Sequence, residues 1–128
     1  LLAEAHASAG RVAQALRALD EALSQVEETG ERFYEAEIHR LKGELLLMLG
    51  DEAEAEASFQ NAIEVARPQR ARSWELRATT SLVRLWKAQG KSEAARRALS
   101  EVYGWFTEGF GTPDLKEAKS LLEELEGG

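Results

Sequence analysis

The glycines at positions 10, 50 and 90 stand forty residues apart, and the residues around them repeat with them. Ala15, Ala55 and Ala95 follow five residues later. Leu19, Phe59 and Leu99 come four after those, then Ala22, Ala62 and Val102. Upstream, Tyr34 matches Trp74, Glu35 matches Glu75 and Leu45 matches Leu85. Self-similarity at such a period marks stacked units, each of which buries its apolar face only against its neighbours. The chain is therefore read as three copies of one unit, the first truncated at its start.

Each unit reads as two helices. In the middle copy the first runs from about Arg32 to Leu49, with Phe33, Ala36, Ile38, Leu41, Leu45 and Met48 at helical spacing. Gly50 is expected to end it in the left-handed conformation, and Gly10 and Gly90 to do the same in their units. Asp51, with Glu54 three residues on, forms a capping box for the second helix. That helix carries Ala55, Phe59, Ala62, Ile63 and Ala66, and ends before Pro68, which disfavours helical geometry at Arg67. The third copy repeats the pattern over Ala71–Gln89 and Ser92–Trp105. A last helix begins in "TPDLKEAKSLLEEL", with Thr112 as cap, Pro113 in the first turn, and Leu115, Ala118, Leu122 and Leu125 as its stripe. Gly43, inside a helix at a cost of about 1 kcal/mol, is expected to let the paired helix approach through small residues such as Ala55 or Ala62. Its counterparts are Ala3 and Val83.

The reading is one all-α domain over residues 1–128, an α-α superhelix of antiparallel hairpins with about seven helices. Its parts are a truncated first repeat (1–29), a second (30–69), a third (70–109) and a C-terminal capping helix (110–128). Leu, Ala, Glu and Arg dominate, which agrees with an all-helical chain. Cysteine is absent, which excludes disulfides and fits a reducing, cytoplasmic setting. No apolar run approaches the ~18 residues of a membrane span. The sequence opens inside a helix without Met, and is read as part of a longer protein. The net charge of -7 divides unevenly: residues 1–66 hold 5 basic and 14 acidic residues, 67–97 hold 9 and 2, and 98–128 hold 2 and 7. Such a layout points to neighbouring helices with complementary faces, or to a basic surface for an acidic partner.

Gly43, Gly50, Ala55, Phe59 and Ala62, with Pro68 at the end, resemble a tetratricopeptide repeat over nearly the whole chain. The common repeat has about 34 residues; the additional six here lie at "GERFYE" and "RARSWE". Longer repeats of this kind are similar to the C-terminal superhelical region of bacterial ATPase-containing regulators, often joined to a nucleotide cyclase or a DNA-binding domain. "GERFYEAEIHRLKGELLL" and "YGWFTEGFGTPDLKEAKSLLEEL" carry that likeness. The resemblance implies a right-handed superhelix and a protein–protein interaction or signal-reception role. The alternative is homo-oligomerisation of the same parent protein. It also implies a concave groove lined by first helices, here Glu37, Arg40, Glu44, Leu47 and Met48, then Arg77, Thr80, Arg84 and Lys87. Chaperone-binding members clamp a carboxylate with Lys and Asn; Arg40 and Glu44 stand in the corresponding places, so that clamp is not reproduced.

The residues supply no catalytic set. "LWKAQGKS" ends like a phosphate-binding loop, but Leu85 stands where the first glycine is needed and a helix precedes it. His6 and His39 fall at different places in their units, and Glu35 with His39 is too small a set for a metal. Trp105, Phe106 and Phe110 are read as sealing the end of the stack rather than as a binding patch. The partner is thus a protein or peptide segment, acidic if Arg77, Arg84 and Lys87 are free to meet it. The overall charge disfavours nucleic acid, and no cofactor or metal is called for.

Overall fold

The structure, a computed structural model, describes residues 2–29 and 34–127. Six α-helices follow one another: α1 (Leu2–Thr29), α2 (Glu35–Met48), α3 (Glu52–Ala66), α4 (Arg72–Ala88), α5 (Ser92–Tyr103) and α6 (Pro113–Gly127). Helix is the only regular secondary structure among the described residues. The stack is an α-α solenoid: α2 pairs with α3, α4 with α5, and each hairpin packs on the one before.

Turn chemistry sets the hairpins. Gly50 and Gly90 end α2 and α4 with φ of +82° and +81°, a region open to glycine without a Cβ clash. The Asp51 side chain accepts a hydrogen bond from the Glu54 N–H at 3.2 Å, which satisfies one free donor of α3. Between units the reversal is made without glycine. Arg70 takes φ +54°, and the Ala71 N–H reaches back to the Ala66 carbonyl at 3.1 Å.

Several expectations need correction. Gly10 caps nothing: α1 runs through it as one continuous helix, and the described residues form six helices, consistent with the expected solenoid of about seven. Arg11 occupies the place that capping Asp51 holds after Gly50. Arg67, despite preceding Pro68, is helical at φ -56° and ψ -54° and caps α3, its N–H bonded to the Ile63 carbonyl at 3.1 Å. On α6 the buried stripe is Leu115, Ala118, Leu121 and Leu125, with Leu122 at its margin. The first helix of the second unit begins at Glu35; Arg32 and Phe33 lie outside the described residues, as do the side chains of Ala3 and His6.

Gly43 has a different neighbour from the one its spacing suggests. A Cβ there would lie 2.6 Å from Cδ1 and 3.0 Å from Cζ of Phe59, and closer still to Cε1. The glycine makes room for an aromatic ring, not for an alanine. One unit later the same two positions hold Val83 and Leu99, both fully buried. A small residue facing a large one has become two of middle size, which fills a similar space.

The core has two parts. Phe59, Ala55, Ala62 and Ile63 of α3 meet Ala78, Leu82 and Leu85 of α4. Val83 and Leu76 of α4 meet Ala95, Leu99 and Val102 of α5 and the α6 stripe. Trp105 and Phe106 pack at the edge of the second part, as expected of residues that seal a stack, whereas Phe110 is exposed and meets only the Tyr103 ring at its margin. α6 packs on both α4 and α5, as α4 packs on both α2 and α3. It therefore occupies the place of a first helix of a further unit. The positions by which α2 and α4 meet their hairpin partners, such as Gly43 and Val83, are matched on α6 by exposed Glu123.

Candidate functional site

The first helices α2, α4 and α6 lie side by side, and the nine groove residues fall on α2 and α4. On α2, Arg40 donates to both carboxylate oxygens of Glu37, at 2.6 and 2.9 Å, and stands 4.0 Å from Glu44. The hydrogen bond with Glu37 raises the Arg40 pKa further, so this guanidinium stays charged. On α4, Arg77 bridges two helices: its Nε meets Asp114 of α6 at 3.0 Å and its NH1 meets Glu37 of α2 at 3.4 Å. Arg84 is paired with Glu117, and Lys87 with Glu124 at 3.0 Å. The acidic–basic–acidic layout of the sequence thus becomes a ladder across three adjacent helices.

A cleft of about 220 Å³ opens inside this ladder, lined by Arg40, Arg77, Thr80, Ser81, Arg84, Asp114 and Glu117. Four of the nine sequence-chosen residues meet there: Arg40, Arg77, Thr80 and Arg84. Thr80 and Ser81 are buried at its floor, and the Thr80 hydroxyl donates to the Leu76 carbonyl at 2.7 Å. Lys87 lines a neighbouring cleft with Arg84, Leu121 and Glu124. Leu47 packs against the first core part, and Met48 is 72% exposed outside both clefts. Asp114 and Glu117 are cleft residues that motif reading missed. The signal was present, because Glu37, Arg77 and Glu117 are spaced by the forty-residue period.

The pairs between α4 and α6 are about half exposed, so each contributes at most about 1 kcal/mol. They are weak enough to exchange for an incoming carboxylate. The chemistry available is electrostatic and hydrogen-bonding recognition. Among the described residues no three His, Asp or Glu side chains converge as a metal site. Gly90 of "QGKS" sits in the turn between two helices, where its φ of +81° serves the hairpin. No helix among the described residues is long and apolar enough to cross a membrane.

Comparison with known families agrees with this stacking. A tetratricopeptide repeat model matches residues 1–68, and a second matches residues 76–101. The chain belongs to the tetratricopeptide repeat family. Its hairpins are the units of that family, and tetratricopeptide repeats are typically non-catalytic scaffolds that mediate protein–protein interaction. No curated protein and no solved structure matches the chain.

Beside the groove, four of the six other basic residues of the middle segment have their own contacts. Arg67 bonds buried Glu75 at 2.9 Å, and Arg72 lies over the Trp105 ring at 5.3 Å. Arg96 and Arg97 both meet Glu93. His39, half-buried on α2, has its pKa lowered by desolvation, against the pull of Glu35 and with a smaller push from Lys42.

Proposed function

We propose that this repeat domain receives an acidic protein segment along the row Arg77, Arg84 and Lys87, with Arg40 at the far wall of the cleft. The observation that carries the reading is the open cleft lined by Arg40, Arg77 and Arg84; the row itself is not free, since each of its cations already meets a carboxylate of α6 in a half-exposed pair that an incoming segment has to displace. A segment with carboxylates at similar spacing replaces those contacts one for one. The likeness of "GERFYEAEIHRLKGELLL" to bacterial ATPase-containing regulators supports a place for the domain as the signal-receiving part of such a cytoplasmic protein. A second reading, self-association, is favoured by the apolar residues exposed on α2, Leu41 and Met48.

The test uses the whole chain and fluorescently labelled peptides of one length, one Asp/Glu-rich and one Lys-rich. A chain of net charge -7 attracts the basic peptide non-specifically. Tighter binding of the acidic peptide, strengthened by Glu117→Gln with Glu124→Gln and lost in Arg84→Glu, supports the groove. Preference for the basic peptide in all variants refutes it.

A further inference from the structure

α3 and α5 both pack on α4 but not on each other. A cleft of about 520 Å³ opens where their C-terminal ends flank the start of α4, lined by Arg67, Arg70, Arg72, Glu75, Glu101 and Trp105. It lies between two described units, with α3 on one side and α5 on the other, and not at an end of the stack. It shares no residue with the groove clefts. Its volume suits a small ligand or one side chain of a partner.

The repeat does not impose the cations of this cleft. Where "RPQRAR" places Arg67 and Arg70, the preceding unit has Glu27 and Gly30, and the following one Thr107 and Phe110. Arg70 stands at φ +54°, a conformation open to glycine and costly to a residue with a Cβ. Side chains held in such conformations cluster at functional sites. Two of the three guanidinium groups are fixed by the chain: the Arg67 Nε bonds buried Glu75 at 2.9 Å, and Arg72 lies over the Trp105 ring at 5.3 Å. The Arg70 side chain, exposed between them in sequence, forms no hydrogen bond or ion pair among the described residues.

We propose that this cleft binds a phosphate monoester dianion. Its cations are all arginine, and no lysine lines it. The planar guanidinium presents paired donors that match phosphate oxygens. Glu75 is already held by Arg67, which leaves Glu101, exposed on α5, as the internal competitor for Arg70 and Arg72. An incoming carboxylate carries the same charge as Glu101 and gains nothing over it. A phosphate monoester brings nearly twice the charge and three acceptor oxygens, enough to engage more than one arginine at once. The groove differs, because there each cation of the row is matched by a carboxylate of α6.

The test titrates the whole chain against a fluorescently labelled Ala-Gly-phosphoserine-Gly-Ala peptide, with unphosphorylated and glutamate versions beside it, read by anisotropy. The phosphorylated peptide is expected to bind about tenfold or more tighter than the glutamate one. Arg70→Gly installs the residue of the preceding unit in the left-handed turn, so its melting temperature should hold or rise while that preference is lost. Glu101→Gln, which removes the internal competitor, should tighten phosphopeptide binding. Inorganic phosphate and free phosphoserine as competitors distinguish the sources of the group. Binding of either more tightly than the peptide assigns the cleft to a free phosphorylated molecule, and weaker binding assigns it to a phosphorylated side chain. Equal affinity for the glutamate peptide overturns the proposal. So does full phosphopeptide binding by Arg70→Gly, above all if Arg84→Glu abolishes it, since the anion then sits in the groove.

Discussion

Gly43→Ala is ordinarily a stabilising exchange in a helix, by up to about 1 kcal/mol. Here the sign reverses. The new methyl group would lie 2.6 Å from Cδ1 and 3.0 Å from Cζ of Phe59. Comfortable carbon contacts begin near ~3.5 Å, so the ring or the helix must move by about an ångström. Phe59 has no exposed surface and sits among Ala55, Ala62, Ala78 and Leu82, so it cannot swing into solvent. Overpacking of this kind costs about 1–3 kcal/mol. A fully enclosed ring belongs in the upper half of that range, which leaves a net loss of about 1–2 kcal/mol after the propensity gain. For a domain of this size that lowers the melting temperature by about 3–8 °C. The assay is thermal and urea unfolding of a double-mutant cycle. Gly43→Val with Phe59→Leu installs the Val83–Leu99 pair of the next unit, and is expected to be more stable than the sum of its single changes by about 1 kcal/mol or more. A melting temperature unchanged or raised in Gly43→Ala refutes the reasoning, since it means the ring has slack.

Asp51→Ala removes the cap of α3 and should lower unfolding free energy by about 1 kcal/mol, read from urea midpoints at unchanged slope. Arg84→Glu sets a carboxylate against Glu117 and should cost under about 1 kcal/mol, most of it regained by adding Glu117→Arg and narrowed in high salt. Trp86→Phe loses the 3.0 Å hydrogen bond from Nε1 to Glu56 and should cost about 0.5–1.5 kcal/mol, with Glu56→Gln well tolerated because the acceptor oxygen is kept. His39 is held below its ordinary value of 6.5 by burial, so the unfolded chain takes up its proton first. Its contribution is complete above about pH 6.5 and is lost as pH falls through the folded value. Melting temperature measured across this range should fall less in His39→Gln than in the parent chain.

Much of this architecture was legible because repeats report the same decision several times. Gly50 and Gly90 each recur with an apolar set behind them, and both turns formed. Gly10 shared their position but not their surroundings: with Arg11 after it in place of a capping residue, a period alone could not tell a turn from a glycine carried through a helix. Gly43 was rightly read as a point of close approach, yet its neighbour was misjudged. Spacing along α3 puts Ala55, Phe59 and Ala62 on one face, and only the angle between the helices decides which of them meets Gly43. The basic row of α4 was readable as a stripe. That α6 answers it with Asp114, Glu117 and Glu124 depends on α6 taking the place of a first helix, which its length and apolar stripe do not specify. Leu41 and Met48 share a helical period with Ala36, and Met48 is also read as a groove residue; whether that face is covered depends on packing beyond any one helix.

A chain made of near copies carries a hazard that an ordinary domain does not. Any first helix presents roughly the right apolar shape to any other, so the folding molecule can join units out of order. The alternation of charge along α2, α4 and α6 distinguishes the correct neighbours. Stacking α2 directly on α6 would set Glu37 and Glu44 against Asp114, Glu117 and Glu124 with Arg40 as the one cation of the α2 row to offset them, a like-charge excess that penalises the wrong assembly. Pairs that contribute little to the final stability can then still decide which final state is reached. Neutralising Arg77, Arg84 and Lys87 together should accordingly slow refolding and add misassembled intermediates, visible as extra kinetic phases, out of proportion to the change in equilibrium stability.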